Sequence, residues 1–126
     1  MIPRTAGTRT ALLGLDQALD SPRMHDAQKL WRRAVRQRMA YLHECLDRET
    51  APASEGWLAP RSGAMVRERD ALLCRMSDLT PQVQKAGEVD SLRAELKRFL
   101  TDVSHHVQRL HDLAYDDVEA EVGGSE

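Results

Sequence analysis

The sequence predicts an all-α protein, folded as an antiparallel up-and-down helical bundle. Aromatic residues make up only 4% of the 126 residues, while the strong helix formers Leu, Ala, Arg and Glu are common and β-branched residues are scarce. Apolar residues also recur at steps of three and four along most of the chain, which is the spacing of one helical face. A chain of this length fits one domain.

The first elements are a tail, a short helix and a long helix. Residues 1–10 are predicted to be a flexible tail, and the single domain extends over residues 11–122. Leu12, Leu13, Leu15 and Leu19 indicate a short helix that ends at Asp20. Ser21-Pro22 is a start signal for a second helix, which extends to about Arg48. Its predicted apolar stripe contains Ala27, Leu30, Trp31, Ala34, Val35, Met39, Leu42, Cys45 and Leu46.

Two further long helices follow a connection. Residues 49–63 hold two prolines and two glycines, which favour a loop, and its Trp57 and Leu58 are expected to cover the core. The third helix is predicted over 64–79, where Thr80-Pro81 stops it or turns it. The fourth is predicted over 90–122, and residues 123–126 form a C-terminal tail.

Composition argues against several classes of function. The net charge is only -2, so no global field attracts nucleic acid or a membrane. We find neither an apolar run of about 18 residues nor a secretory signal, and therefore expect a cytoplasmic protein with reduced cysteines. No phosphate loop, dinucleotide fingerprint or hydrolytic triad is recognisable, so no enzymatic reaction is predicted.

The C-terminal part of the chain carries a family resemblance. The segment from His106 to Asp116 continues through an acidic stretch to Gly123-Gly124. Trp31-Arg32-Arg33-Ala34-Val35 and Pro60-Arg61 are further matching segments. Together they resemble the hemerythrin-like (HHE cation-binding) family, in a bacterial subgroup.

The resemblance implies a four-helix bundle that holds two irons, bridged by carboxylates and bound mostly by histidines, and that binds or senses oxygen. Carried over residue by residue, it makes His106, His111 and Glu68 the first candidate iron ligands. His43 and Glu49 are further candidates. It also places Arg69 where the family has a ligand histidine, so the ligand set is incomplete.

Each of these residues also has an interpretation without a metal. His106 can be a buried histidine bonded to a neighbour, and His111 and His43 can be flank residues. Arg69 falls among apolar residues of the third helix, where an unpaired guanidinium would be costly. We predict that it fills the space of a lost metal site and pairs with an acid of the last helix; the alternative is that its head reaches water. The candidate acids are Asp112, Asp116 and Asp117.

Two functions follow as hypotheses. The first is an iron-binding bundle with a role in oxygen or redox binding or sensing. The second is a metal-free bundle that acts as a protein-interaction or regulatory module, with a protein partner or a second copy of itself. A third, weaker hypothesis is nucleic-acid association through the basic stretch of residues 29–38, but a solvated face explains that stretch better and no nucleic acid is expected.

Overall fold

The computed structural model describes residues 6–20, 28–49, 59–85 and 89–123. These residues form four helices: α1 (Ala6–Leu19), α2 (Gln28–Asp47), α3 (Ala59–Gln84) and α4 (Val89–Gly123). No strand occurs among them, which confirms the all-α helical bundle. Within this part of the chain, no helix is both long enough and apolar enough to cross a membrane.

Polar contacts between helix ends show that neighbouring helices are antiparallel. The Arg93 guanidinium, near the start of α4, donates a 3.1 Å hydrogen bond to the carbonyl of Leu19 at the end of α1. The start of α2 meets the end of α3, because Arg32 donates to the carbonyl of Val83 over 2.7 Å. The start of α3 meets the far half of α4 through the 2.7 Å ion pair of Arg61 with Asp116.

The four helices close into a ring around one core. Each helix packs on its neighbours in sequence, and α1 also packs on α4. Every helix buries one apolar stripe, as its spacing predicts. The buried core contains Ala11, Leu15, Leu19, Trp31, Val35, Met39, Leu42, Leu46, Leu72, Met76, Leu79, Val83, Leu92, Leu96, Phe99, Leu100, Val103 and Val107.

Two helices extend about five residues beyond a predicted end, whereas α4 differs from its prediction by one residue at each end. Helix α1 begins at Ala6, so residues 6–10 are not part of a tail, and Thr8 is buried against the core. Helix α3 extends from Ala59 to Gln84, beyond both predicted ends. At its start, Pro60 lies in the first turn, where the missing N–H has no helical partner to lose.

Pro81 does not end α3, contrary to the prediction. Side chains on either side of it bond to carbonyls one turn earlier: the Thr80 hydroxyl donates to Met76 over 2.8 Å and the Gln82 amide to Asp78 over 3.3 Å. The extra turn buries Val83 completely. Burial of Val83 and the Arg32 bond to its carbonyl together stabilise the helix beyond the proline.

Some predicted positions of the stripes lie at the surface instead. Leu30 is 67% exposed and Leu13 is 57% exposed. Leu30 lies about 140° from the centre of the buried stripe of α2, as 3.6 residues per turn requires. The predicted helix start at Ser21-Pro22 and the predicted cover of Trp57 and Leu58 lie outside the described residues.

Candidate functional site

A charged network crosses the core near one end of the bundle. His106 lies on the buried face of α4, with none of its side chain exposed. Its Nε2 is 2.6 Å from a carboxylate oxygen of Glu49, just after α2. Its Nδ1 is 2.6 Å from a carboxylate oxygen of Glu68 on α3. One imidazole therefore connects three helices.

Arg109 extends this network toward the surface. It follows His106 by three residues on α4, so both side chains lie on neighbouring parts of one face. Its Nε donates to the carboxylate of Glu68 at 3.0 and 3.1 Å, and its Nη2 lies 2.9 Å from the same group. Glu68 thus accepts from an imidazole on one side and from a guanidinium on the other.

The network is balanced in charge when His106 carries two protons. Ionised carboxylates only accept hydrogen bonds, and a neutral imidazole has only one N–H. Both short contacts are satisfied when His106 is an imidazolium, with Glu49 and Glu68 ionised. Along the network, in the order Glu49, His106, Glu68 and Arg109, negative and positive charges then alternate, and the net charge of the four side chains is zero.

The surroundings of His106 raise its pKa. Burial of the ring disfavours the charged form and by itself lowers the pKa; the hydrogen bonds and negative charges of Glu49 and Glu68 outweigh that effect. The pKa of His106 therefore lies above its ordinary value of 6.5. The imidazolium is favoured although the side chain is in the core.

The position of Glu49 depends on Arg69. Residue 49 follows the last turn of α2, where its N–H donates to Leu46 over 3.1 Å. The Arg69 guanidinium donates to the carbonyl of Glu49 over 3.0 Å. This bond fixes the backbone from which the Glu49 carboxylate reaches His106. The second oxygen of that carboxylate is buried and has no hydrogen-bond partner among the described residues.

Arg69 contacts neither Asp112 nor Asp116, two of the three acids that we predicted for it. Besides Glu49 it pairs with Asp70, its neighbour on α3, over 3.2 Å. Asp116 pairs instead with Arg61, and Asp112 accepts from Gln108 over 3.0 Å. Arg69 lies on the side of α3 that faces the end of α2, whereas Arg61 faces α4. The side chain of Asp117 lies outside the described residues.

Of the five predicted metal ligands, the structure brings together His106, Glu49 and Glu68. His43 is exposed on α2 and His111 is half-buried on α4. Within the described residues, no group of three or more His, Cys, Asp or Glu side chains is placed to hold a metal ion.

The reason is geometric: Glu49 and Glu68 meet opposite edges of the imidazole, so they do not converge on one point. A metal at Nε2 would have Glu49 as its only neighbouring ligand in the network, with Glu68 behind the ring. The described residues therefore do not fit an iron centre of the implied type, which needs several convergent ligands.

Two of the five cations in the basic stretch of α2 contact neighbouring helices. Arg32 is half-buried and bonded to Val83. Arg38 is exposed but lies against Gly14 of α1, where a Cβ would be 3.3 Å from the guanidinium. Lys29, Arg33 and Arg36 are also exposed, so a solvated face explains most of the stretch.

Sequence reasoning missed Arg109 as a member of the network. The signal was the spacing of three residues between His106 and Arg109, which places both on the face of α4 toward α3. That face could be identified only once the partner helix and its register were known.

Comparison of the chain with protein-family models, with curated proteins and with solved structures gave no match. The resemblance to hemerythrin-like proteins therefore remains a prediction from the sequence, while the helical bundle stands on the structure.

Proposed function

We propose that this protein is a metal-free helical bundle that acts as a protein-interaction or regulatory module. One observation carries the proposal: both ring nitrogens of His106 are bonded to carboxylates, Glu49 and Glu68, on opposite sides. His106, which the resemblance assigns as an iron ligand, thus has both ring nitrogens engaged in hydrogen bonds within the protein.

Charge compensation supports this proposal. A metal centre neutralises buried carboxylates with the charge of the ion. Here the His106 imidazolium and Arg109 supply two positive charges for the carboxylates of Glu49 and Glu68. The network joins the end of α2 to α3 and α4, so its role is to fix the helices, and recognition is left to the surface.

The competing hypothesis is iron binding with oxygen or redox sensing. One feature favours it: the second oxygen of the Glu49 carboxylate is buried without a partner among the described residues, and a cation could occupy such a position. Two irons would need further ligands, and His43 and His111 are not part of the network.

Metal content separates the two hypotheses. The protein is purified from iron-supplemented cells, and iron is quantified beside a visible absorption spectrum and a thermal melt with and without chelator. We expect no stoichiometric iron, no absorption from an oxo bridge, and the same melting temperature in chelator. About two irons per chain with an oxo-bridge band would overturn the proposal.

The His106→Ala variant shows whether any retained metal depends on the network. We expect the variant to contain as little metal as the wild type and to melt at a lower temperature, since Glu49 and Glu68 lose their shared donor. Iron that is present in the wild type and lost in the variant would contradict the metal-free proposal.

A further inference from the structure

The outer side of α2 carries cations without acids. Residues 28–43 contain five Lys or Arg and no Asp or Glu, although the net charge of the chain is -2. Four of the five cations are exposed: Lys29, Arg33, Arg36 and Arg38. None of the four forms an ion pair with a described residue. These side chains are solvated in the isolated chain, and their mutual repulsion is not offset by acids on α2 itself.

The helices on either side of α2 supply no countercharge to this surface. Asp16 and Asp20, in and just after α1, both pair with α4. On α3, Glu68 also pairs with α4, and Asp78 lines a cleft between α3 and α4. Asp70 pairs with its own neighbour on α3. The described acids of both neighbouring helices are therefore directed away from the cations of α2 or are already paired.

Two large apolar side chains lie among these cations. Leu30 is 67% exposed and Tyr41 is 45% exposed. About three helical turns separate them, so they lie on one line along the outer side of α2. Arg33 and Arg38 flank that line at about 70° to either side. A leucine and a tyrosine between long cationic side chains are typical of a helix that lies in the headgroup region of a membrane.

We propose that the outer side of α2 binds an anionic membrane surface. Leu30 and Tyr41 enter the headgroup region, and the four exposed cations approach the negative charges of the lipids. The chain has no positive net charge, so the attraction is confined to this one side of the bundle. It extends over about one Debye length, roughly 10 Å at 0.1 M salt, and binding should therefore be weak and sensitive to salt.

A lipid surface fits this side of the bundle better than a nucleic acid or an acidic helix. The phosphates of a nucleic acid would pair with the cations but would leave Leu30 against charged groups. An acidic helix would need a groove for its apolar face, and the clefts beside α4 are not lined by any residue of α2. A membrane requires no groove, and it offers negative headgroups above an apolar layer.

The proposal goes beyond the proposed function and does not depend on it. Metal content tests the metal-free bundle, whereas vesicle binding tests the surface of α2. Either proposal can fail while the other stands.

Cosedimentation of the full chain with vesicles tests membrane binding. One set of vesicles contains phosphatidylcholine with about 30% phosphatidylserine, and the other contains phosphatidylcholine alone. We expect the chain to bind only the anionic vesicles at about 0.1 M salt, and to be released at about 0.5 M salt. Equal binding to both sets, or no binding to the anionic set, would overturn the proposal.

Charge removal tests the position of the contact. The double variant Arg33→Gln, Arg36→Gln should bind the anionic vesicles about 25-fold more weakly, since each cation near such a surface contributes about fivefold. Arg67→Gln, Arg98→Gln is the matched control, because it removes the same charge from exposed positions of α3 and α4. It should bind like the wild type, and an equal loss in both double variants would assign the effect to total charge instead.

The apolar contribution is tested separately. Leu30→Ser should weaken binding by about tenfold, whereas Leu13→Ser should not, because Leu13 is 57% exposed but lies on α1. Circular dichroism checks that each variant keeps its helices. A chain that binds a duplex oligonucleotide or a glutamate-rich peptide through Arg33 and Arg36 but does not bind anionic vesicles would contradict membrane binding.

Discussion

At the scale of single residues, the main feature is an imidazole held between two carboxylates inside the core. Burial of a charge is costly unless it is paired and its hydrogen bonds are satisfied. Both conditions hold for His106, with each ring nitrogen 2.6 Å from a carboxylate oxygen. The pairing should therefore stabilise the native state only while His106 is protonated.

Stability should depend on pH through His106. Since the folded-state pKa lies above the ordinary value of 6.5, the contribution is complete below the unfolded pKa and is lost as the pH rises through the folded pKa. His106→Gln should lower the free energy of unfolding by about 3 kcal/mol near neutral pH, and the difference from wild type should shrink at higher pH. Urea denaturation between about pH 6 and pH 9 measures it.

His105→Gln is the control for that experiment. His105 is the preceding residue on α4 but is exposed, so its replacement should leave both the stability and its pH dependence nearly unchanged. A His106→Gln deficit that stays constant over the whole pH range would mean that protonation of the imidazole contributes nothing to the fold.

Arg69 acts on the network through the backbone. Arg69→Leu should lower the free energy of unfolding by about 1–2 kcal/mol, because the carbonyl of Glu49 loses a charged donor. Arg67→Leu is the control, since Arg67 is two residues earlier on α3 and exposed. Thermal or urea denaturation of both variants gives the comparison. Equal stability of the Arg69 and Arg67 variants would show that the hydrogen bond to Glu49 does not contribute to the free energy of unfolding.

Sequence reasoning reached part of this site. The family resemblance selected His106, Glu68 and Glu49, and the structure places them together. The resemblance did not give their arrangement around the ring, because a sequence does not tell which ring nitrogen of a histidine each carboxylate will contact. Arg69 bonds to the carbonyl of Glu49 rather than to Asp112 or Asp116, two of its three predicted partners. The helical wheel places Arg69 on the apolar side of α3 but does not tell whether α2 or α4 lies beside it.

At the scale of helices, the sequence predicted their number and type but not all of their ends. Thr80-Pro81 was predicted to stop the third helix or to turn it. In the structure Pro81 is accommodated inside α3 because Val83 is fully buried beyond it. Helix ends depend on tertiary packing of this kind, which local signals do not contain.

Arg32 is expected to hold the last turn of α3. Its guanidinium donates to the carbonyl of Val83 from the start of α2. Arg32→Met should keep most of the packing but remove this donor, and should lower the free energy of unfolding by about 1–2 kcal/mol. Amide hydrogen exchange should show the loss as faster exchange after Thr80.

Arg33→Met is the control for this variant, because Arg33 is exposed on the same turn of α2. It should change stability by less than about 0.5 kcal/mol. Unchanged exchange at the end of α3 in the Arg32 variant would show that packing of Val83 alone maintains the helix past Pro81.

At the scale of the whole molecule, apolar periodicity was the most informative signal. It predicted Trp31, Met39, Leu72, Phe99 and Val103 as core residues, and all five are buried. Periodicity failed where a stripe extends past the neighbouring helix, as at Val118, which is 39% exposed. Within the described residues, α1 is too short to cover that side of α4, and the length of a neighbour is not encoded in the stripe itself.

Phe99 lies in the core and is also contacted by a charged side chain, so its replacement tests how much of the fold depends on the shared core. Its ring is completely buried in a cluster to which all four helices contribute. The Arg75 guanidinium lies 5.2 Å from the ring centre and also pairs with Asp102 over 2.7 Å. Phe99→Ala should cost about 3–5 kcal/mol, a large share of the roughly 5–15 kcal/mol that stabilises a domain.

The form of the urea denaturation curve shows whether Phe99 supports the whole bundle or only its immediate surroundings. If Phe99 supports the whole bundle, urea denaturation should remain a single transition with the same slope and a much lower midpoint. Phe99→Leu, which retains most of the apolar volume, should recover more than half of the loss. In a shared core, the cavity left by Phe99→Ala must lower the free energy of unfolding substantially. A loss below about 1 kcal/mol would therefore mean that the four apolar stripes pack as separate pairs of helices.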